Sequence, residues 1–173
     1  NLAEVGEYSK LCEFAIENGA TYVLMNPLSS MGRGVKSIGK LAMPNDLMRE
    51  IDASTAEFSD RVQLVKIRFP NDKKLPLASC EAGNIVYVFT HGELTVCPYL
   101  VFAANTPQSL HKAEEFIVGN IFEDEDIADK LDAYKFGSRY KIGGNPTCEE
   151  CQINAQCGKG CPAAVIASGK KIE

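Results

Sequence analysis

The sequence predicts an α+β fold in which the end of a parallel sheet is followed by a cysteine-rich region with a β-hairpin and short helices. Near the N-terminus, an amphipathic helix pattern leads directly into a short apolar strand pattern. Farther along, two strand patterns flank a His-Gly turn, and the last four cysteines fall within 14 residues. Helix–strand units build parallel sheets and tight turns build antiparallel ones, so we expect both kinds.

The N-terminal region is predicted to supply the helix–strand units. Residues 7–18 carry Tyr8, Leu11 and Ala15 on one helical face, and the apolar run 21–25 is typical of a buried strand. A helix followed at once by a buried strand is half of a βαβ unit, so a parallel sheet is expected. A second helix is predicted over residues 44–52 and a second strand over 62–69.

The C-terminal region has a different pattern. Residues 84–90 and 93–97 are predicted to be two strands joined by a tight turn, in which Gly92 supplies the positive φ. Residues 122–136 are amphipathic and predict a helix.

The strongest signal in the sequence is a run of four cysteines with the spacing C-x2-C-x5-C-x3-C. Its members are Cys148, Cys151, Cys157 and Cys161. A C-x2-C turn lets two thiolates converge on one metal centre, and Gly158 and Gly160 let the backbone pass close to it. Core packing does not explain four cysteines in so short a segment, and we interpret the run as a metal site.

Two further cysteines flank the predicted hairpin. Cys80 precedes its first strand and Cys97 ends its second, so the hairpin is expected to bring them near each other. Such a pair alone would be consistent with two buried thiols. Beside a metal-binding run, a shared role as ligands is the better interpretation.

This constellation resembles the SPASM domain of radical-SAM maturases. The resemblance rests on Cys80, on Gly92 followed by four residues and Cys97, and on the C-terminal run; it covers roughly residue 79 to the end. Residues 118–122 resemble the linker between the cysteine groups of that family. The preceding residues are similar to the last helix and strand of the family's partial (β/α) barrel. We therefore predict a barrel end over residues 1–78 and a SPASM-like iron–sulfur domain over 79–173.

The resemblance implies two auxiliary [4Fe–4S] clusters with interleaved ligands. The first set consists of Cys80, Cys97 and Cys161, and the second of Cys148, Cys151 and Cys157. The first cluster would have three protein ligands and an open position, unless a non-cysteine ligand fills it. In the family a further ligand of the second cluster follows the run by a little under 20 residues. We expect it just beyond Glu173, and we expect the chain, which starts without Met, to be a fragment.

The resemblance also implies a function. Relatives modify peptide or protein substrates, and they include sulfatase maturases, the pyrroloquinoline quinone biosynthesis enzyme and makers of thioether-bridged peptides. The full-length enzyme would hold S-adenosylmethionine on a third cluster and take electrons from a donor such as a flavodoxin or ferredoxin. No three cysteines here have the C-x3-C-x2-C spacing of that catalytic site. This segment would therefore serve electron transfer, substrate binding or both, and we predict no catalytic residue in it.

Two alternatives remain open. Four thiolates also suit tetrahedral Zn²⁺, which would make this a zinc-binding structural or interaction module. The chain could also be a free-standing cluster protein. If clusters were lost during preparation, zinc could occupy the vacated thiolates.

Composition narrows the function classes. The net charge of −5 and the pI near 5.2 argue against a nucleic-acid surface. No apolar run reaches the roughly 18 residues of a membrane span, and no signal-peptide pattern is present, so a cytoplasmic location without a membrane partner is expected.

Three other residues deserve separate predictions. Cys12 lies on the apolar face of the first helix and is predicted to be a core thiol. His91 is expected to serve the hairpin turn. His111, in a polar stretch, is predicted to be solvated.

Overall fold

Helices and small sheets alternate along the chain, as the predicted mixture of α and β structure requires. The computed structural model describes residues 4–172 and divides them into two units. The N-terminal unit comprises residues 4–29 and 33–73, and the C-terminal unit comprises 30–32 and 74–172. The boundary between the two units, after residue 73, lies a few residues before the predicted domain boundary at residue 78.

The N-terminal unit is built on two parallel strands. Its elements, in chain order, are α1 (Val5–Glu17), β1 (Tyr22–Met25), α2 (Gly34–Leu41), α3 (Asn45–Thr55), a 3-10 turn (Ala56–Phe58) and β2 (Gln63–Lys66). Strands β1 and β2 pair in parallel from Tyr22 opposite Gln63 to Met25 opposite Lys66. Two strands joined through helices form the predicted parallel arrangement.

The core of this unit lies on one face of the strand pair. Val23 and Met25 point into it and meet buried residues of the helices, among them Cys12 and Ile51. Cys12 is fully buried, which confirms the prediction of a core thiol.

Strand β2 is shorter than the sequence predicted. It ends at Lys66 instead of residue 69. Arg68 has a φ of 58°, in the left-handed region, where a strand cannot continue. The alternation of apolar and polar residues through residue 69 does not reveal this change in backbone conformation.

The C-terminal unit combines a three-stranded antiparallel sheet with short helices. Its elements are β3 (Tyr87–Val88), β4 (Glu93–Thr95), α4 (Pro98–Ala104), a 3-10 turn (Ala113–Phe116), β5 (Ile117–Asn120), α5 (Ile127–Ala133), α6 (Phe136–Arg139), α7 (Pro146–Glu149), a 3-10 turn (Asn154–Gln156) and α8 (Pro162–Ala167). The sheet order is β3-β4-β5. Helices α4 and α8 pack together over a core that includes Leu100, Phe116 and Ile166.

The predicted hairpin is present with shorter strands. Phe89 and Glu93 close its loop, in which Gly92 has a φ of 92°. A left-handed glycine at the end of a three-residue loop is a common way to join two antiparallel strands. The third strand, β5, falls in a segment for which the sequence predicted only a linker.

The predicted helix over residues 122–136 is wrong in its extent. Helix α5 covers only Ile127–Ala133, and the short α6 follows. One carboxylate oxygen of Asp124 accepts the Asn120 N–H at 2.7 Å and the other accepts from Lys130 at 2.7 Å. These bonds hold the preceding residues in a turn, so the helix begins later.

No helix within residues 4–172 is both long enough and apolar enough to cross a bilayer.

Candidate metal centre

Two of the candidate ligands stand at the starts of two helices that pack against each other. Cys97 is the N-cap of α4 and Cys161 is the N-cap of α8. Each is followed by a proline, Pro98 or Pro162, at the first helical position, where proline is favoured because its missing N–H is not needed. The packing of α4 on α8 thereby brings together cysteines that lie far apart in sequence.

Cys80 joins these two thiols from a third segment. Burial is the main cause that raises the pKa of the Cys80 thiol, and the nearby Cys161 and Cys97 raise it further. Burial likewise raises the pKa of the Cys97 thiol, to which Cys161 contributes. Together with the packing of α4 on α8 and the contact of Cys80 and Cys97 with the same hydrophobic core, this places the three cysteines in one region of the C-terminal unit.

A main-chain pairing places the Cys80 segment beside the cysteine run. The Gly158 N–H donates to the Leu77 carbonyl at 2.7 Å, and the Gly160 N–H donates to the Ala78 carbonyl at 3.0 Å. Ser79 and Lys159 form an antiparallel bridge next to these bonds. Residues 77–79 therefore run alongside residues 158–160, and we call this contact the main-chain pairing.

The main-chain pairing also supplies hydrogen bonds to Cys157. The Leu77 N–H lies 3.3 Å from the Cys157 Sγ, and the Lys159 N–H lies 3.4 Å from it. These two donors, aided by the Lys159 charge, lower the pKa of the Cys157 thiol. The environment of Cys157 therefore favours a thiolate, which is the form that binds metal.

The other two members of the second set lie in the turn that starts at α7. The Asn145 side chain caps this helix by accepting the Cys148 N–H at 3.1 Å, and Pro146 occupies its first position. The Cys151 N–H then donates to the Cys148 carbonyl at 3.3 Å. Cys148 and Cys151 thus share one turn, and the 3-10 turn Asn154–Gln156 connects them to Cys157. The chain links these three cysteines through local turns, whereas it gathers the first set from distant segments.

Exposure separates the candidate ligands from the core cysteine. Cys151 and Cys161 are exposed, and the other four are partly exposed. Cys12 has no exposed surface. All six candidates are free thiols in the C-terminal unit.

The chemistry of the donors bears on the kind of group they could hold. Within residues 4–172, no three His, Cys, Asp or Glu side chains lie close enough together to bind a single metal ion. Soft thiolates with main-chain N–H partners are the donor set that iron–sulfur clusters take.

The sequence did not reveal the groups that surround these sulfurs, because they are main-chain N–H groups. Leu77 is 80 positions from Cys157. The Ala82 N–H, 3.4 Å from the Cys80 Sγ, lies only two positions away, but its direction depends on a turn that side-chain patterns do not show. The glycines of the cysteine run were the one available signal for close backbone approach.

The prediction that His111 is solvated is wrong. Its side chain is buried, with Nδ1 2.9 Å from a Glu115 carboxylate oxygen and Nε2 accepting the Ile172 N–H at 3.1 Å. Phe116 and Tyr140 pack around the ring. Polar neighbours in the sequence concealed a burial that arises from distant segments. His91, in contrast, lies in the exposed hairpin loop, as expected.

Comparison with models of protein families, with curated proteins and with solved structures finds no match to this chain.

Proposed function

We propose that this chain is the auxiliary-cluster part of a radical-SAM enzyme that modifies a peptide or protein substrate. The observation that supports the proposal is that Cys80, Cys97 and Cys161, which belong to three separate segments, lie in one region of the C-terminal unit. All three thiols are free; Cys80 and Cys97 are partly exposed beside the core and Cys161 is exposed, so burial in the core does not account for them. The sequence resemblance to SPASM domains assigns the same three cysteines to one cluster.

The second cluster would be held by Cys148, Cys151 and Cys157. The turn that starts at α7 presents the first two, and the N–H groups of Leu77 and Lys159 donate to the sulfur of the third. A bound [4Fe–4S] cluster supplies one-electron transfer and, where one iron lacks a protein ligand, a position for a substrate thiolate. The chain's own contribution is to fix the thiolates, donate hydrogen bonds to their sulfurs and limit their exposure.

An exposed apolar face in the N-terminal unit supports the proposal that the chain is part of a larger enzyme. On the face of β1 opposite the core, Tyr22 and Leu24 are 58% and 51% exposed. Parallel sheets are typically covered on both faces, so this apolar face suits further strands and helices of a (β/α) barrel. In our proposal, S-adenosylmethionine, a third cluster and the contact with a flavodoxin or ferredoxin belong to that enzyme, which would be cytoplasmic.

Metal analysis tests this proposal directly. Protein purified and reconstituted under anaerobic conditions is expected to be brown and to contain both iron and acid-labile sulfide. A colourless protein with stoichiometric zinc and no sulfide uptake would favour a zinc-binding module instead. Zinc found only after aerobic preparation would not, because free thiolates scavenge metal once clusters have decayed.

A further inference from the structure

The sulfur of Cys157 receives a hydrogen bond that differs from those of the other candidate ligands. Cys80 takes its N–H from Ala82, two positions away, and Cys97 takes its N–H groups from the first turn of the helix that it caps. Such local bonds form with the local turn. The Leu77 N–H, in contrast, reaches Cys157 only because the main-chain pairing joins segments 80 positions apart.

The main-chain pairing restricts which residue fits at one position and imposes a rare backbone conformation at the next. A Cβ on Gly158 would lie 2.2 Å from the Ser79 nitrogen, so this position excludes every other residue unless the pairing opens. Lys159 adopts a φ of 65°, a conformation that costs energy in a residue other than glycine. Its ammonium group is tied back to the Asn154 carbonyl at 2.5 Å. Strained backbone that surrounding contacts hold in place is characteristic of functional sites.

We propose that the Leu77 N–H is a positioning group for Cys157 and that it sets the redox potential of the cluster that this cysteine would bind. The inference rests on the proposed function. Hydrogen bonds to a cluster sulfur stabilise the more negative, reduced state, and thereby raise the potential. The same segment carries Cys80 of the first set, so it connects the two sets of ligands.

A matched pair of substitutions isolates the N–H group. Leu77→Pro removes it, whereas Leu77→Ala keeps it and shortens a side chain that is 46% exposed. Both are made in the Cys97→Ala background of the full chain, so that the remaining signal comes from the second cluster. We expect Leu77→Pro to shift the midpoint potential to more negative values, or to lose the cluster, while Leu77→Ala retains the potential of the parent. Equal potentials in the two variants would overturn the inference.

An isotope measurement avoids a variant that could fail to fold. The Cys97→Ala protein is labelled with ¹⁵N-leucine, and its reduced cluster is studied by pulsed electron paramagnetic resonance. We expect one ¹⁵N coupling, from Leu77, which disappears when Leu77→Ala replaces the labelled residue. No coupling, or a coupling that survives this substitution, would refute the assignment.

The parent protein separates this inference from the proposed function. If the parent chain binds no iron and sulfide, the proposed function fails. If it binds both and the Leu77 measurements show no effect, only the role of the N–H group fails. Loss of the second cluster in Leu77→Pro alone, with the cluster intact in Leu77→Ala, supports the positioning role.

Discussion

At the scale of single residues, the local environment decides which cysteines could serve as ligands. Cys80 and Cys97 are partly exposed in the neighbourhood of Cys161, whereas Cys12 is enclosed by apolar side chains of the N-terminal core. Burial raises the pKa of the Cys12 thiol as it does for Cys80 and Cys97, but Cys12 has no exposed surface, so its sulfur is closed to a metal. Residue type alone does not separate the two kinds of cysteine, but their neighbours do.

The first prediction tests the division of the ligands. Cys97→Ala is expected to lower iron and sulfide by about half, because it removes one ligand of the first set and leaves the second set intact. Iron and sulfide are measured per chain after anaerobic reconstitution. Cys12→Ala is the control and is expected to lower stability without changing the iron content. Unchanged iron in Cys97→Ala would contradict the division into two sets.

The second prediction concerns Tyr134, which is mostly buried and donates from its hydroxyl to the Glu115 carbonyl at 2.8 Å. Burial raises the pKa of Tyr134 to about 12, assisted by the nearby Tyr140. Between pH 10 and 12 the folded chain keeps a proton that the unfolded chain releases, so stability falls as the pH rises through this window.

Ultraviolet difference spectroscopy, in which tyrosinate absorbs, checks this value. The ionisation step at the highest pH should be absent from the titration of Tyr134→Phe. A Tyr134→Phe protein that retains the late step near pH 12 would show that another tyrosine is responsible.

At the scale of elements, short helices and one hairpin hold the candidate ligands. Cys97 and Cys161 each start a helix before a proline, and Asn145 caps the turn that carries Cys148. The hairpin sets the position of β4, and Cys97 follows shortly after this strand. The geometry of the hairpin loop depends on Gly92. These elements are short, so their positions depend on caps and loop residues more than on helix or strand propensity.

The third prediction tests that loop. Gly92→Ala would place a Cβ 2.3 Å from the Asn120 Oδ1 and 2.4 Å from the Phe122 ring, at a φ of 92°. We expect a loss of about 1–3 kcal/mol in the free energy of unfolding, from backbone strain and this overlap.

Gly137→Ala is the matched control for this substitution. A Cβ there meets nothing within 4 Å, and the residue lies in the short helix α6. Urea denaturation of the two variants provides the comparison. An equal effect of both substitutions would show that the hairpin loop does not impose the expected restriction.

At the scale of the whole molecule, residues 4–172 form two separate hydrophobic cores. Cys12, Ile51 and their neighbours form one, and Leu100, Phe116 and Ile166 belong to the other. All six candidate ligands belong to the C-terminal unit. A group bound by these cysteines therefore stabilises one unit selectively.

The fourth prediction follows from this asymmetry. A ligand that binds only the folded state stabilises it by about 2.7 kcal/mol when its concentration is a hundred times the dissociation constant. Calorimetry of reconstituted and metal-free protein is expected to show a higher transition temperature for the C-terminal unit and an unchanged one for the N-terminal unit. Phe116→Ala and Ile51→Ala identify the two transitions, since each creates a cavity in one core. Equal shifts of both transitions would contradict the confinement of the bound group.

The sequence by itself determined the order of the helix–strand region, the hairpin and the cysteine run, as well as the buried state of Cys12. These follow from periodicity, turn residues and spacing, which act over a few positions. It failed for the helix over residues 122–136, because Asp124 binds the Asn120 N–H, and for His111, because distant segments bury it. Local patterns carry no information about such partners.

Only the tertiary structure decided which groups surround the sulfurs. The packing of α4 on α8 brings Cys97 to Cys161, and the main-chain pairing adds Cys80 and directs the Leu77 N–H to Cys157. The physical reason is that these contacts join segments far apart in the chain, and that the groups reaching the sulfurs belong to the backbone. Every residue carries the same N–H group, so residue identity cannot show which one will reach a sulfur.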